Sequence, residues 1–185
     1  NTGTPLEIDG TAANALSSSD AAWGDYDNDG DLDVAVLGVD TPQNKQLRLY
    51  RNDLGDTFTM IEINSGGADN GLAQGGLAWG DYDNDGDLDI AVGNDMAPNA
   101  IFLNDGKGQF IKGPGFGKAY APTRNLTLAD LDRDGDVDIL ITNRGQPNEI
   151  CLNAGDGSFP TCLEFGNLNV AELTVIFEFA YGKVD

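Results

Sequence analysis

Fifteen aspartates stand in three loops of one design, Asp-x-Asp-x-Asp-Gly-Asp-x-Asp. They are Asp25, Asp27, Asp29, Asp31 and Asp33; Asp81, Asp83, Asp85, Asp87 and Asp89; and Asp130, Asp132, Asp134, Asp136 and Asp138. Crowding five carboxylates into nine residues costs about 1 kcal/mol per close pair in water and about 4 at an effective dielectric near 20. A divalent cation reverses the sign of that term. Calcium accepts about six to eight oxygens in flexible geometry, and alternate residues of a tight loop can aim at one centre. Glycine at the sixth position (Gly30, Gly86, Gly135) permits the sharp turn. Positions one, three, five and nine are expected to ligate through side chains. By analogy with related loops, Asp31, Asp87 and Asp136 at position seven are expected to ligate through the main chain. One Ca2+ per loop, about three in all, follows from this reading. A helical calcium hand is excluded, because its Glu at position twelve is replaced by Val36, Val92 or Ile141 and strand formers follow. Magnesium fits less well, since it prefers few carboxylates and retained waters.

The rest of the composition narrows the function classes. The chain has 185 residues, 31 acidic against 10 basic, a formal charge of −21 and no histidine. Such acidity disfavours nucleic acid and anionic membranes as partners. Absence of histidine removes His-dependent triads and most transition-metal sites. A hydrophobic fraction of 40% is too rich for a disordered acidic tail. No apolar run approaches the roughly 18 residues of a membrane span. The chain opens at Asn1 with neither initiator Met nor signal-peptide pattern, so it reads as a mature piece or an excised fragment.

The elements that hold the loops come from an internal repeat. The first Asp of each loop recurs at 25, 81 and 130, steps of 56 and 49. A second landmark follows: Asn52, Asn104 and Asn153, each six residues before Phe58, Phe110 or Phe159. Leu32, Val34 and Val36 alternate, as do Leu88, Ile90 and Val92, and the segments 46–51, 58–63 and 99–103 are β-branched or aromatic. Four short strands per unit of about fifty residues is the spacing of a propeller blade. Helical periodicity is weak; the Ala- and Ser-rich segment 11–22 reads as a helix or a loop.

The loop, its following strand and the Pro-Asn-x-Ile-x-Leu-Asn-x-Gly-x-Gly-x-Phe tail at 98–110, matched at 147–159, resemble the FG-GAP/VCBS repeat family of integrin α-chain propellers and many secreted proteins. The resemblance implies an all-β fold, a β-propeller of four-stranded antiparallel blades with one calcium in the hairpin between the first two strands of each. Three complete blades are expected at about 21–76, 77–125 and 126–170, with a partial unit at 1–20 and the start of another at 171–185. Lys183 departs from the family's Asp at that fourth loop, which puts a fourth site in doubt. Since propellers usually have about four to eight blades, further blades are expected from a longer chain or from self-association.

Blade topology puts the remaining connections, including 95–99, 113–124 and 144–148, on the face opposite the loops, where Tyr120, Arg124, Arg144 and Gln146 are candidates for a protein or carbohydrate ligand, against a reading as ordinary surface loops. Trp23 and Trp79, with Leu128 at the third equivalent position, read as core packing. Cys151 and Cys162 flank a turn and are either a disulfide or two buried thiols. The sequence therefore points to an extracellular module, secreted or on a cell surface, that is calcium-stabilised, non-catalytic, and used for adhesion or ligand binding. The alternative is the propeller scaffold of a secreted polysaccharide lyase or hydrolase.

Overall fold

The computed structural model describes residues 16–39, 45–53, 58–63 and 75–165. Twelve strands form three four-stranded antiparallel sheets, and the described residues include no helix. The first sheet holds β1 (Ser17–Gly24), β2 (Asp33–Val39), β3 (Lys45–Asn52) and β4 (Phe58–Glu62). The second holds β5 (Leu77–Gly80), β6 (Asp89–Val92), β7 (Ala100–Asn104) and β8 (Phe110–Lys112). The third holds β9 (Thr123–Ala129), β10 (Asp138–Asn143), β11 (Asn148–Leu152) and β12 (Thr161–Phe165). In every sheet, chain neighbours are spatial neighbours. This up-and-down order puts the acidic loops and the described third-to-fourth-strand turns at one end of the sheets, and the other described connections, 93–99, 113–122 and 144–147, at the opposite end.

Alternation along the strands gives each sheet two working faces. In β6, Ile90 and Val92 cluster with Ala35, Leu37, Leu47 and Leu49 of the first sheet, whereas Ala91 clusters with Ile139, Ile141 and Cys151 of the third. All four residues of β6 are consequently buried, a pattern with no polar face. Phe102 and Ile101 of β7 divide in the same way. Each fully buried Ile, Leu or Phe contributes about 1.5–3 kcal/mol, so these two interfaces hold the array together.

The first strands lie side by side. Asp20 Oδ2 accepts from Leu77 N–H at 2.8 Å, and the Ala22 carbonyl accepts from Trp79 Nε1 at 3.0 Å. Gly76 sits so near β9 that a Cβ there would stand 2.8 Å from the Asn125 Cα. This close approach excludes any side chain at 76.

Two expectations need correction. Within the Ala- and Ser-rich segment 11–22, residues from Ser17 onward are β1, paired to β2 through Ala21–Val36 and Ala22–Ala35. Pairing and cover from a neighbouring sheet override a composition without strand preference. Trp79 is packed as expected, near-parallel to Tyr26 at 6.5 Å and beside Phe110 at 6.3 Å. Trp23, however, is 60% exposed, touching Phe58 edge-on. The ring that Trp79 stacks on comes from the preceding unit; residues 1–15, ahead of Trp23, and 166–185 with Lys183 lie outside the described residues.

Candidate metal centres

Each acidic loop is curled by two left-handed residues. Position four (Asn28, Asn84, Arg133) has φ between 56° and 64°, and the glycine at position six has φ between 96° and 101°. Carboxylates then fold back on the loop's own amides. Asp25 accepts from Asp29 N–H and Gly30 N–H at 3.1 Å each, and Asp81 accepts from Gly86 N–H at 3.1 Å. Asp29, Asp85 and Asp134 accept from the amide two residues on, at 2.9, 3.0 and 3.0 Å. These bonds converge the side chains: in three clusters, Asp25, Asp27 and Asp29; Asp81, Asp83 and Asp85; and Asp130, Asp132 and Asp138, ligand oxygens lie within 4.8 Å of one another. Each cluster can hold a metal ion. Asp27 Oδ1, Asp81 Oδ1 and Asp83 Oδ1 are buried carboxylate oxygens with no hydrogen-bond donor. A cation fits such atoms, because a buried acceptor left unpaired is otherwise costly.

The ninth aspartate is the loop's anchor. Asp33, Asp89 and Asp138 are fully buried. Asp89 accepts from Tyr82 N–H and Asn104 N–H, both at 2.8 Å. Asp33 does the same for Tyr26 and Asn52, and Asp138 for Leu131 and Asn153. One carboxylate thus ties the start of its loop to the end of the third strand. Sequence spacing placed position nine among the ligands; the structure brings Asp138 to a cluster and gives all three this backbone role as well.

Two of the landmark asparagines, Asn104 and Asn153, join successive sheets, a role that their recurrence alone did not reveal. Asn104 Nδ2 donates to the Tyr26 carbonyl of the preceding loop at 2.8 Å and to Leu88 of its own at 3.2 Å. Asn153 repeats this with Tyr82 at 2.8 Å and Val137 at 3.2 Å. A second link runs loop to loop: Asn28 Nδ2 donates to Asp87 Oδ1 at 2.9 Å, and Asn84 Nδ2 to Asp136 Oδ1 at 2.7 Å. The side chains at position seven in the second and third loops therefore serve the preceding loop. Tyr26 and Tyr82, between the first two aspartates of their loops, are buried, and Tyr82 packs edge-on against Phe159 at 6.0 Å.

Burial and mutual repulsion act on the carboxyl groups in the same direction. Asp27, Asp83 and Asp132 are pushed up first by burial and next by a neighbouring carboxylate, respectively Asp29, Asp85 and Asp138. Burial raises Asp33 and Asp138 and pushes Asp89 up to about 6, against the two backbone bonds that lower each. A carboxyl with a folded pKa above its unfolded value binds its proton better when folded. Its contribution favours folding at low pH and is lost as pH rises through the folded value. In chelator the melting temperature should therefore rise as pH falls from about 7 to about 4.5, the reverse of ordinary acid denaturation. Scanning calorimetry across that range checks this, and a steady fall would reject it.

Of the remaining candidates, Arg124 Nη2 bonds Asp95 Oδ2 at 2.8 Å and Arg144 Nη2 approaches it at 3.8 Å. Tyr120 and Gln146 are exposed. Cys151 and Cys162 face each other across β11 and β12 and form a disulfide. A family model described as FG-GAP-like repeat matches residues 25–92 and 81–141. No curated protein matches the chain.

Proposed function

Because the chain belongs to the FG-GAP-like repeat family, we propose that it is a calcium-binding, calcium-stabilised and non-catalytic module that serves extracellular adhesion or ligand binding. The observation that carries this reading is the set of buried, donorless oxygens on Asp27, Asp81 and Asp83 inside clusters of converging carboxylates. Asp25, Asp27, Asp29 and Asp33; Asp81, Asp83, Asp85 and Asp89; and Asp130, Asp132, Asp134 and Asp138 would hold the ions, with main-chain help from Asp31, Asp87 and Asp136. When bound, calcium neutralises the mutual repulsion and crosslinks each loop. The protein's own part is to fix the carboxylates by the amide bonds and to tether the loop through the ninth aspartate. Calcium is favoured over magnesium by the number of carboxylates offered.

The sheets are read as blades of a β-propeller. Supporting this are the adjacent first strands and the two-sided burial of the second sheet; further blades would come from a longer chain or from self-association. The Cys151–Cys162 disulfide supports an oxidising, extracellular setting, whether secreted or cell-surface. A protein or carbohydrate ligand would bind at the end opposite the acidic loops. Isothermal titration calorimetry should give one calcium per cluster, three per chain. The Asp83→Ala variant should lose one of them. Heats absent with calcium, or as strong with magnesium, would defeat the reading.

A further inference from the structure

We propose that the metal sites fill cooperatively, each filled loop raising the affinity of its neighbour through the side-chain bonds that run from loop to loop. This rests on the calcium reading above and names how those sites are regulated: the array answers a threshold of calcium rather than filling in proportion to it.

Each junction ties ligand-bearing backbone of one loop to that of the next. Asp87 holds position seven of the second loop, where the main-chain carbonyl is the expected ligand, and its N–H donates at 3.0 Å to Oδ1 of Asp85 in the cluster. Whatever fixes Asp85 and the Asp87 main chain therefore fixes the Asp87 carboxylate. That carboxylate is clamped on two sides. Asn28 Nδ2 of the first loop donates to its Oδ1 at 2.9 Å, and Gly106 packs so close to its Oδ2 that a Cβ there would overlap it. Asp136 in the third loop is held in the same way. Its N–H donates to Asp134 Oδ1 at 3.0 Å, Asn84 Nδ2 donates to its Oδ1 at 2.7 Å, and Gly155 stands against its Oδ2. Asn84 Nδ2 also donates to the Gly155 carbonyl at 3.2 Å, so it spans carboxylate and turn together.

The donors in turn sit inside their own clusters. Asn28 stands between Asp27 and Asp29, and Asn84 between Asp83 and Asp85, on left-handed backbone with φ 56° and 60°. That conformation curls the loop, yet side chains disfavour it, and in an empty loop carboxylate repulsion opposes the curl as well. A charge-assisted bond to a fixed acceptor in the next loop works against both. Filling one loop thus supplies part of the ordering that its neighbour needs, which is positive coupling. A second tie acts at the same place. The Tyr26 carbonyl, between Asp25 and Asp27, accepts from Asn104, whose own N–H is held by Asp89 at the end of the second loop. The Tyr82 carbonyl accepts from Asn153 and also, at 2.7 Å, from the Gly157 N–H. Linkage makes the coupling reciprocal, and about fivefold or more in affinity per junction is its expected size.

Calcium is titrated calorimetrically into the chain at about 0.15 M salt, which damps repulsion between ions. The titration is run below the melting transition of the chelated chain, with sucrose to hold it folded, so that folding itself adds no cooperativity. The Hill coefficient should exceed about 1.5. Asn28→Gly combined with Asn84→Gly keeps the left-handed turns and removes only the amides. It should still bind three ions, with a coefficient of about 1. Asp87→Ala breaks the first junction from its other end and changes no residue of the first loop. At calcium that half-fills the parent, it should speed hydrogen exchange of the Asp29 and Gly30 amides about fivefold or more. Independent filling in the parent, cooperativity that the glycine variant retains, or unchanged exchange in Asp87→Ala each overturns the proposal. Calcium that binds and stabilises without cooperativity defeats this inference alone; a chain that takes up no calcium defeats the reading beneath it.

Discussion

Withdrawing divalent cations with a chelator is expected to lower the melting temperature by about 30 °C or more and to leave much of the chain unfolded. An ion that binds only the folded form, present at about a thousand times its dissociation constant, contributes about 4 kcal/mol. Three such sites then contribute about 12 kcal/mol, comparable with the roughly 5–15 kcal/mol of a whole domain. The apo state also retains the buried carboxylates that burial and repulsion push toward protonation. Circular dichroism melts with calcium, with chelator and after calcium is restored would measure the effect. A transition that stays in place through all three would identify the loops as solvated acidic turns.

The second large effect concerns Asp89. Replacing it with alanine removes the acceptor of two buried backbone amides, Tyr82 and Asn104, from a fully buried site. Each orphaned donor costs about 1–3 kcal/mol, so Asp89→Ala should lose about 4 kcal/mol in urea denaturation. The loss should persist in chelator, where the anchoring role stands apart from any contribution to the ion. Asp89→Asn keeps one oxygen acceptor and sets its amide against the other N–H, so it should fall between parent and alanine variant. A difference confined to calcium-loaded samples would mean that Asp89 acts only through the metal.

Much of this architecture is legible in the sequence because its signals are local and threefold. An Asp-Gly loop, an alternating strand and an Asn-to-Phe turn each depend on residues a few positions apart, and their repetition separates them from chance. Roles that arise between units are harder to read. The asparagines at 52, 104 and 153 are visible as landmarks, but the acceptors in the preceding loop lie 78 residues away for Asn104 and 71 for Asn153. Asn28 and Asn84 carried a weaker clue, since Arg133 replaces them in the third loop. β1 was obscured because Ala and Ser follow whatever pairing is offered, and the covering sheet is distant in the chain. Tyr120 stands among the sequence candidates, but its left-handed backbone and that of Met96 could not be seen, for their residue types argue against the conformation they adopt.

The asparagine pins also make the join between units interchangeable. Asn104 and Asn153 grip the same pair of sockets, a tyrosine carbonyl in the preceding loop and a carbonyl just before their own anchor aspartate. Asp89 and Asn104, like Asp138 and Asn153, are 15 residues apart, so the unequal steps of 56 and 49 residues leave this join unchanged. A unit duplicated in register would offer the same asparagine to the same pair of carbonyls, whereas the loop-to-loop bond from position four would be lost behind the third unit, where Arg133 stands. Recombination could therefore alter the number of units while this pin is kept.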